Sequence, residues 1–219
     1  MAHADNKIIP MIFDEAFYRK MATQKWQQQD YKKAADYYEK VLELSPEDYD
    51  IQLHYAQCLT KLNLGRKAEH LFYENIVNDF HVADSFYELS QLNIELNEPN
   101  KAFLFGINYV LLTNDQEFRE VLEKTFEVTY TSEHKIELEA QLFTTQLLFQ
   151  FLFSQGRLTD ARAYILSQDE HIQSHRVIRN LLAMCYLYLS EYETAKEMFE
   201  ELLSEDNSDV HALCHYTLL

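Results

Sequence analysis

Residues 15–48 read EAFYRKMATQKWQQQDYKKAADYYEKVLELSPED, and this stretch decides the fold. Two runs of good helix formers flank a short polar break at Gln29-Asp30, and Pro46 stands where the second run should stop. Each run holds one small residue beside large neighbours: Ala22 follows Met21 in the first, and Ala34 precedes Tyr38 in the second. Small side chains let two antiparallel helices approach closely, while large ones fill the space around the contact. The stretch predicts a helical hairpin.

The same device returns at a fixed period on either side. Ala34, Ala68 and Ala102 recur at i, i+34 and i+68, and Ala22, Ala56 and Ser90 keep that step, each at i−12 from its partner in the first series. Ala161 and Ala195 repeat the i, i+34 step, with Ala183 at i−12 from Ala195. Met21, Tyr55, Leu89, Leu148 and Leu182 supply the large neighbours. Further breaks fall at Asn63-Leu64-Gly65, Asn97-Glu98-Pro99, Gln155-Gly156 and Ser190-Glu191, where glycine and proline suit a turn. The register fails once, because the step from Ala102 to Ala161 is i, i+59, longer than one period and shorter than two. Residues 117–141 are too few for an ordinary hairpin. An amphipathic helix is expected through Phe118, Val121 and Leu122, with a break near Thr129–Ser132. Ser132 is placed to cap a long helix from Glu133 to about Gln155.

The chain resembles the tetratricopeptide repeat (TPR) family, whose unit reads W-x2-L-G-x2-Y, then A-x3-F, then P. The matching residues are Tyr18-x2-Met21-Ala22, Tyr31, Ala34-x3-Tyr38 and Pro46, then Ala68-x3-Phe72 and Ala195-x3-Phe199. Two positions depart: Gly106 replaces the aromatic after Ala102, and Phe149 replaces a small residue. The resemblance implies an all-α solenoid, a right-handed superhelix of antiparallel hairpins. Its expected organisation is an N-terminal extension at 1–14, three hairpins over 15–116, an irregular helical unit at 117–141 and two hairpins over 142–209. Residues 210–219 would be a terminal cap or the start of a further helix.

The resemblance also implies a concave groove lined by the first helix of each hairpin. Its early part would be polar, with Arg19, Lys20, Thr23, His54, Lys61, Asp84 and Glu88, and with Trp26 and Tyr87 as aromatic anchors. Its late part would be apolar, with Phe153, Leu181, Met184, Leu187 and Tyr188. These seven apolar and aromatic side chains are the candidate partner-binding residues. An equal alternative is that the late ones pack against the irregular unit or the terminal helix. Chaperone-binding members hold a terminal carboxylate at positions that correspond here to Arg19, Thr23, His54, Asp84 and Glu88. Only Arg19 fits, and two carboxylates would repel the ligand.

Composition narrows the function. Three Gly and three Pro in 219 residues exclude a turn-rich all-β protein, and 47% hydrophobic residues allow a real core. A formal charge of −17 argues against general nucleic-acid binding. Residues 113–219 carry eight bases and 19 acids, so a basic ligand would be drawn to the second half. Cys58, Cys185 and Cys214 form no CxxC pair, the start shows no signal peptide, and the longest apolar run is Leu181–Leu189. The expected location is the cytoplasm, with no membrane span.

Catalytic motifs are absent: no GxGxxG, GxxxxGK[ST], GxSxG or HExxH occurs. His211, Cys214 and His215 share a helical face and resemble metal ligands, as does the pair His171 and His175. Solvated histidines and a buried cysteine explain both sets more simply. The expectation is a non-catalytic interaction module or scaffold with no cofactor and no metal. It would hold an apolar peptide segment or helix with basic flanks. Self-association is the alternative, and a metal-dependent enzyme is the weakest reading.

Overall fold

The computed structural model describes residues 14–126 and 133–219. Thirteen α-helices and no strand occur among them. The N-terminal extension and the expected break near Thr129–Ser132, with its cap Ser132, lie outside the described residues. The described residues fall into two compact units that divide between Asn75 and Ile76.

The first unit holds α1 (Glu15–Gln27), α2 (Tyr31–Leu44) and α3 (Tyr49–Lys61), and most of α4 (Gly65–Val77). The second holds α5 (Val82–Glu95), α6 (Pro99–Thr113), α7 (Gln116–Thr125), α8 (Glu133–Ser154) and α9 (Leu158–Leu166). It continues through α10 (Glu170–Gln173), α11 (Arg176–Tyr188), α12 (Tyr192–Glu205) and α13 (Val210–Tyr216).

Every break read from the period is a left-handed turn. Gln29, Asn63, Asn97, Gly156 and Ser190 have φ of 57°, 59°, 58°, 73° and 65°. The amide after each donates to a carbonyl five residues back: Asp30 to Lys25 (3.0 Å), Leu64 to Leu59 (2.9 Å) and Glu98 to Asn93 (2.9 Å). Arg157 to Leu152 (3.0 Å) and Glu191 to Tyr186 (2.9 Å) complete the set, so the orphan carbonyls of each first helix are satisfied. Only Gly156 uses glycine for this conformation. Gly65 and Pro99, expected to make turns, instead open α4 and α6. Proline is well placed there, because the first helical N–H has no partner to lose.

Aspartates start several of the described helices. Asp14, Asp48, Asp115 and Asp209 accept from the amides of Phe17, Ile51, Phe118 and Ala212 at 2.8, 3.1, 2.9 and 3.0 Å. Two of these caps are also gripped from the preceding hairpin at the same sequence offset, by Arg19 on Asp48 and by Asn180 on Asp209 (3.1 Å). Arg176 adds a 2.8 Å ion pair to Asp209.

The phased small residues lie in the interior of the hairpins. Ala22, Ala34, Ala56, Ala68, Ser90, Ala102, Ala161, Ala183 and Ala195 are all fully buried. In the first unit Ala22, Ala34, Ala35, Tyr38, Val41, Ile51 and Cys58 form one core. In the second, cores lie around Leu122, around Leu152 and around Phe199. A local change in packing accompanies the register failure. A side chain on Gly106 would come within 2.6 Å of Leu122 Cδ1, so the missing aromatic of α6 leaves a notch that α7 fills with Leu122. Beyond α7, α8 packs on α6, where Asn108 Nδ2 donates to Ala140 O (3.1 Å) and Thr144 Oγ1 (3.0 Å). No described helix is long and apolar enough to cross a membrane.

Candidate partner-binding surface

On α11, Val177, Leu181, Met184 and Tyr188 follow one another at intervals of four, three and four, which places them in one stripe. Tyr188 ends the stripe 47% exposed, and its ring meets Phe153 of α8 edge-on at 5.2 Å. Phe153 in turn lies 5.4 Å from the buried Phe149. That stacking chain runs from solvent into the core. Phe153, Leu181 and Met184 are half-buried, packed on the Leu152 core, and form the lower part of the surface. Leu187 is only 6% exposed and lies in the Phe199 core together with Ala212 of α13. It is covered by the helix that follows.

The other two anchors are elsewhere. Tyr87 of α5 is exposed and meets Tyr109 of α6 at 5.4 Å and Phe118 of α7 at 5.3 Å. Trp26 is half-buried in the first unit, 5.2 Å from Tyr31. Arg19 holds Glu15 at 2.7 Å as well as Asp48, so its guanidinium is engaged within the hairpins. A carboxylate ligand would have to compete with both.

The polar clusters are built into the scaffold. His215 stacks on Phe199 at 6.0 Å and its Nδ1 lies 2.8 Å from His211 O, while Cys214, expected to be buried, is exposed. His171 Nε2 lies 3.2 Å from Gln141 Oε1, and His175 is the N-cap residue of α11. Among the described residues, no three His, Cys, Asp or Glu side chains come together as metal ligands. Burial pushes the Cys58 thiol up to about 12 and the Cys185 thiol up to about 11, the latter despite the opposing Arg162 charge. Neither thiolate is populated near neutral pH.

A tetratricopeptide repeat family model matches residues 25–72, and a second model of that family matches residues 178–209. The chain carries tetratricopeptide repeats. No curated protein matches it. Solved structures similar to it include MamA, at 16% identity over 88% of this chain and 92% of that one, with a TM-score of 0.40. YrrB, described as a TPR protein with an unusual peptide-binding site, is 18% identical over 94% and 93%, with a TM-score of 0.41. A tetratricopeptide repeat protein from Parabacteroides merdae is 15% identical over 93% and 83%, with a TM-score of 0.45.

Placing the repeats in the fold shows what their period could not. A cleft of about 720 Å³ opens in the second unit between α6 and α9, floored by Thr144 and Thr145 of α8 and edged by the exposed Leu111 and Leu112. It arises where the repeat spacing breaks. The repeat pattern carried no sign of it.

Proposed function

We propose that this TPR protein is a non-catalytic interaction module that binds an extended or helical segment of a partner protein across the α11 stripe. Tyr188 is the central anchor, with Phe153, Leu181 and Met184 beneath it and Tyr87 as an outlying contact, while Trp26 of the first unit is a separate candidate contact. The reading rests on one observation: a large aromatic ring, half in water, is propped edge-on by a second ring rooted in the core. A ligand that covers Tyr188 removes apolar area from water without reordering it, which is how a few anchors come to dominate an interface. The acidic second half favours basic residues beside the apolar contact and disfavours nucleic acid. On the same reading, the hairpins of residues 15–116 and 142–209 are the working repeats, with the segment 117–141 as an irregular joint. Three free cysteines are in keeping with a reducing, cytoplasmic setting.

The test is site-specific photo-crosslinking in cells. A photoreactive phenylalanine analogue at position 188 should give a discrete adduct with another protein, and the same group at position 20 should not. Adducts at 20 with none at 188 would overturn the assignment.

A further inference from the structure

The cleft of about 720 Å³ in the second unit opens between two second helices, α6 and α9, so it is separate from the α11 stripe. Its floor holds polar groups that the fold leaves unused. Asn108 of α6, 7% exposed, points its Nδ2 at Leu104 O (2.8 Å), Ala140 O (3.1 Å) and Thr144 Oγ1 (3.0 Å). Carbonyls only accept, so these contacts fix the amide's orientation and turn Oδ1 the other way. Among the described residues nothing donates to that oxygen. Thr145 of α8 spends its hydroxyl on Gln141 O of its own helix (2.8 Å). Its neighbour Thr144, 3% exposed, accepts from Asn108, and its own proton has no acceptor among the described residues. One free acceptor and one free donor thus flank Asn108 Nδ2.

The surroundings select what binds there. Both groups are buried, so a ligand that displaces water from them must make both hydrogen bonds or lose affinity. A carboxylate has no proton for Asn108 Oδ1, and an ammonium has no lone pair for the Thr144 O–H. The charged lining residues are Asp79, Arg157 and Asp160, and Asp160 already holds Arg157 at 2.7 Å, so the balance disfavours an anion. A primary carboxamide presents N–H and C=O side by side on one planar group, the complement of the floor. At the rim Leu111 and Leu112, 37% and 56% exposed, gain from an apolar neighbour of that carboxamide. The volume lies within the roughly 300–1,000 Å³ usual for ligand sites, more than one carboxamide fills.

We infer that this cleft takes a glutamine side chain from an uncharged segment of a partner protein, with an apolar residue beside it against Leu111 and Leu112. The glutamine amide donates to Asn108 Oδ1, and the Thr144 hydroxyl donates to the glutamine carbonyl. Selectivity for glutamine comes from the penalty of leaving those two buried groups unmatched. The site does not use Tyr188, so it and the α11 stripe can fail independently.

The probe is the uncharged peptide acetyl-Leu-Gln-Leu N-methylamide, titrated to about 5 mM into the isotope-labelled full chain and followed by amide chemical shifts. Shifts should centre on Leu111, Leu112, Thr144 and Thr145. A twin with glutamate for glutamine should bind about ten-fold more weakly, and one with methionine, similar in shape but without the amide, about five-fold more weakly. Thr144→Val keeps the volume and should erase the preference for glutamine over methionine, with a retained melting temperature showing that it is folded. Leu112→Lys, at an exposed position, should weaken the glutamine peptide several-fold, and Tyr188→Ala should leave it unchanged. No shifts at the cleft, or a methionine peptide that binds as tightly as the glutamine one, would overturn the inference. So would acetylglutamine N-methylamide binding as tightly as the peptide, since the occupant is then a small amide.

Discussion

The α11–α12 and α5–α6 hairpins differ in what fills the position four residues after the buried alanine of the second helix, and the repeats lose their period after the hairpin that lacks a side chain there. In α12, Phe199 follows Ala195 by four residues and fills the space beneath the hairpin. In α6 the same position is Gly106, and Leu122 of α7 fills it from outside. One hairpin carries its own wedge and the next helix follows in register. The other borrows a wedge, and the helix that lends it cannot be part of an ordinary repeat. Both then hand the chain on through an aspartate cap, Asp209 or Asp115.

The comparison is broken most severely by giving α6 the aromatic it lacks. Gly106→Phe should cost about 3 kcal/mol or more, because Leu122 and the buried Ser90 crowd the space a ring would need. Pairing it with Leu122→Ala should restore part of that loss, and thermal melts of the single and double variants measure the coupling. Next, Phe199→Ala should cost about 3–5 kcal/mol and Leu122→Ala about 2–4 kcal/mol in chemical denaturation. A Leu122→Ala variant as stable as wild type would mean that α7 is not a wedge.

How much of this was legible follows from the same residues. The alanine series and the five breaks were readable, because each is set by contacts within one period. That Gly106 marks a notch was not. Its partner Leu122 lies outside the repeat, and a sequence shows only that an aromatic is missing. The apolar stripe on α11 was visible, yet the sequence put Leu187 beside Tyr188 on the groove. The structure buries it, because Ala212 of α13 packs into the same core. Helical periodicity says which residues share a face. It does not say which neighbour arrives to cover that face.

A smaller effect separates the two exits. Partial burial favours the neutral acid at Asp209, but the Ala212 amide, Arg176 and Asn180 prevail and hold its carboxyl at about 2, below the ordinary 3.8. A lowered folded pKa stabilises above the unfolded value, so this contribution should be full above about pH 5 and fade as pH falls from about 4 towards 2. Asp209→Ala should cost about 1–2 kcal/mol at neutral pH, with the gap to wild type narrowing over that acid range in pH-dependent melts. The smallest change concerns the turns. Ser190→Gly should stabilise by about 0.5–1 kcal/mol, because glycine adopts the left-handed conformation without strain, and Gly156→Ala should destabilise by about 1 kcal/mol. Opposite signs in parallel melts would confirm that both hairpins close by the same turn.

The central claim, that the α11 stripe is a binding face and not only core, is tested most directly on a partner isolated with the wild-type chain. Its affinity should be measured by calorimetry for wild type, Tyr188→Ala and Lys20→Ala, alongside each protein's melting temperature. The account predicts that Tyr188→Ala weakens binding about ten-fold or more while remaining folded, and that Lys20→Ala changes affinity by less than about five-fold. A folded Tyr188→Ala protein with wild-type affinity would contradict it.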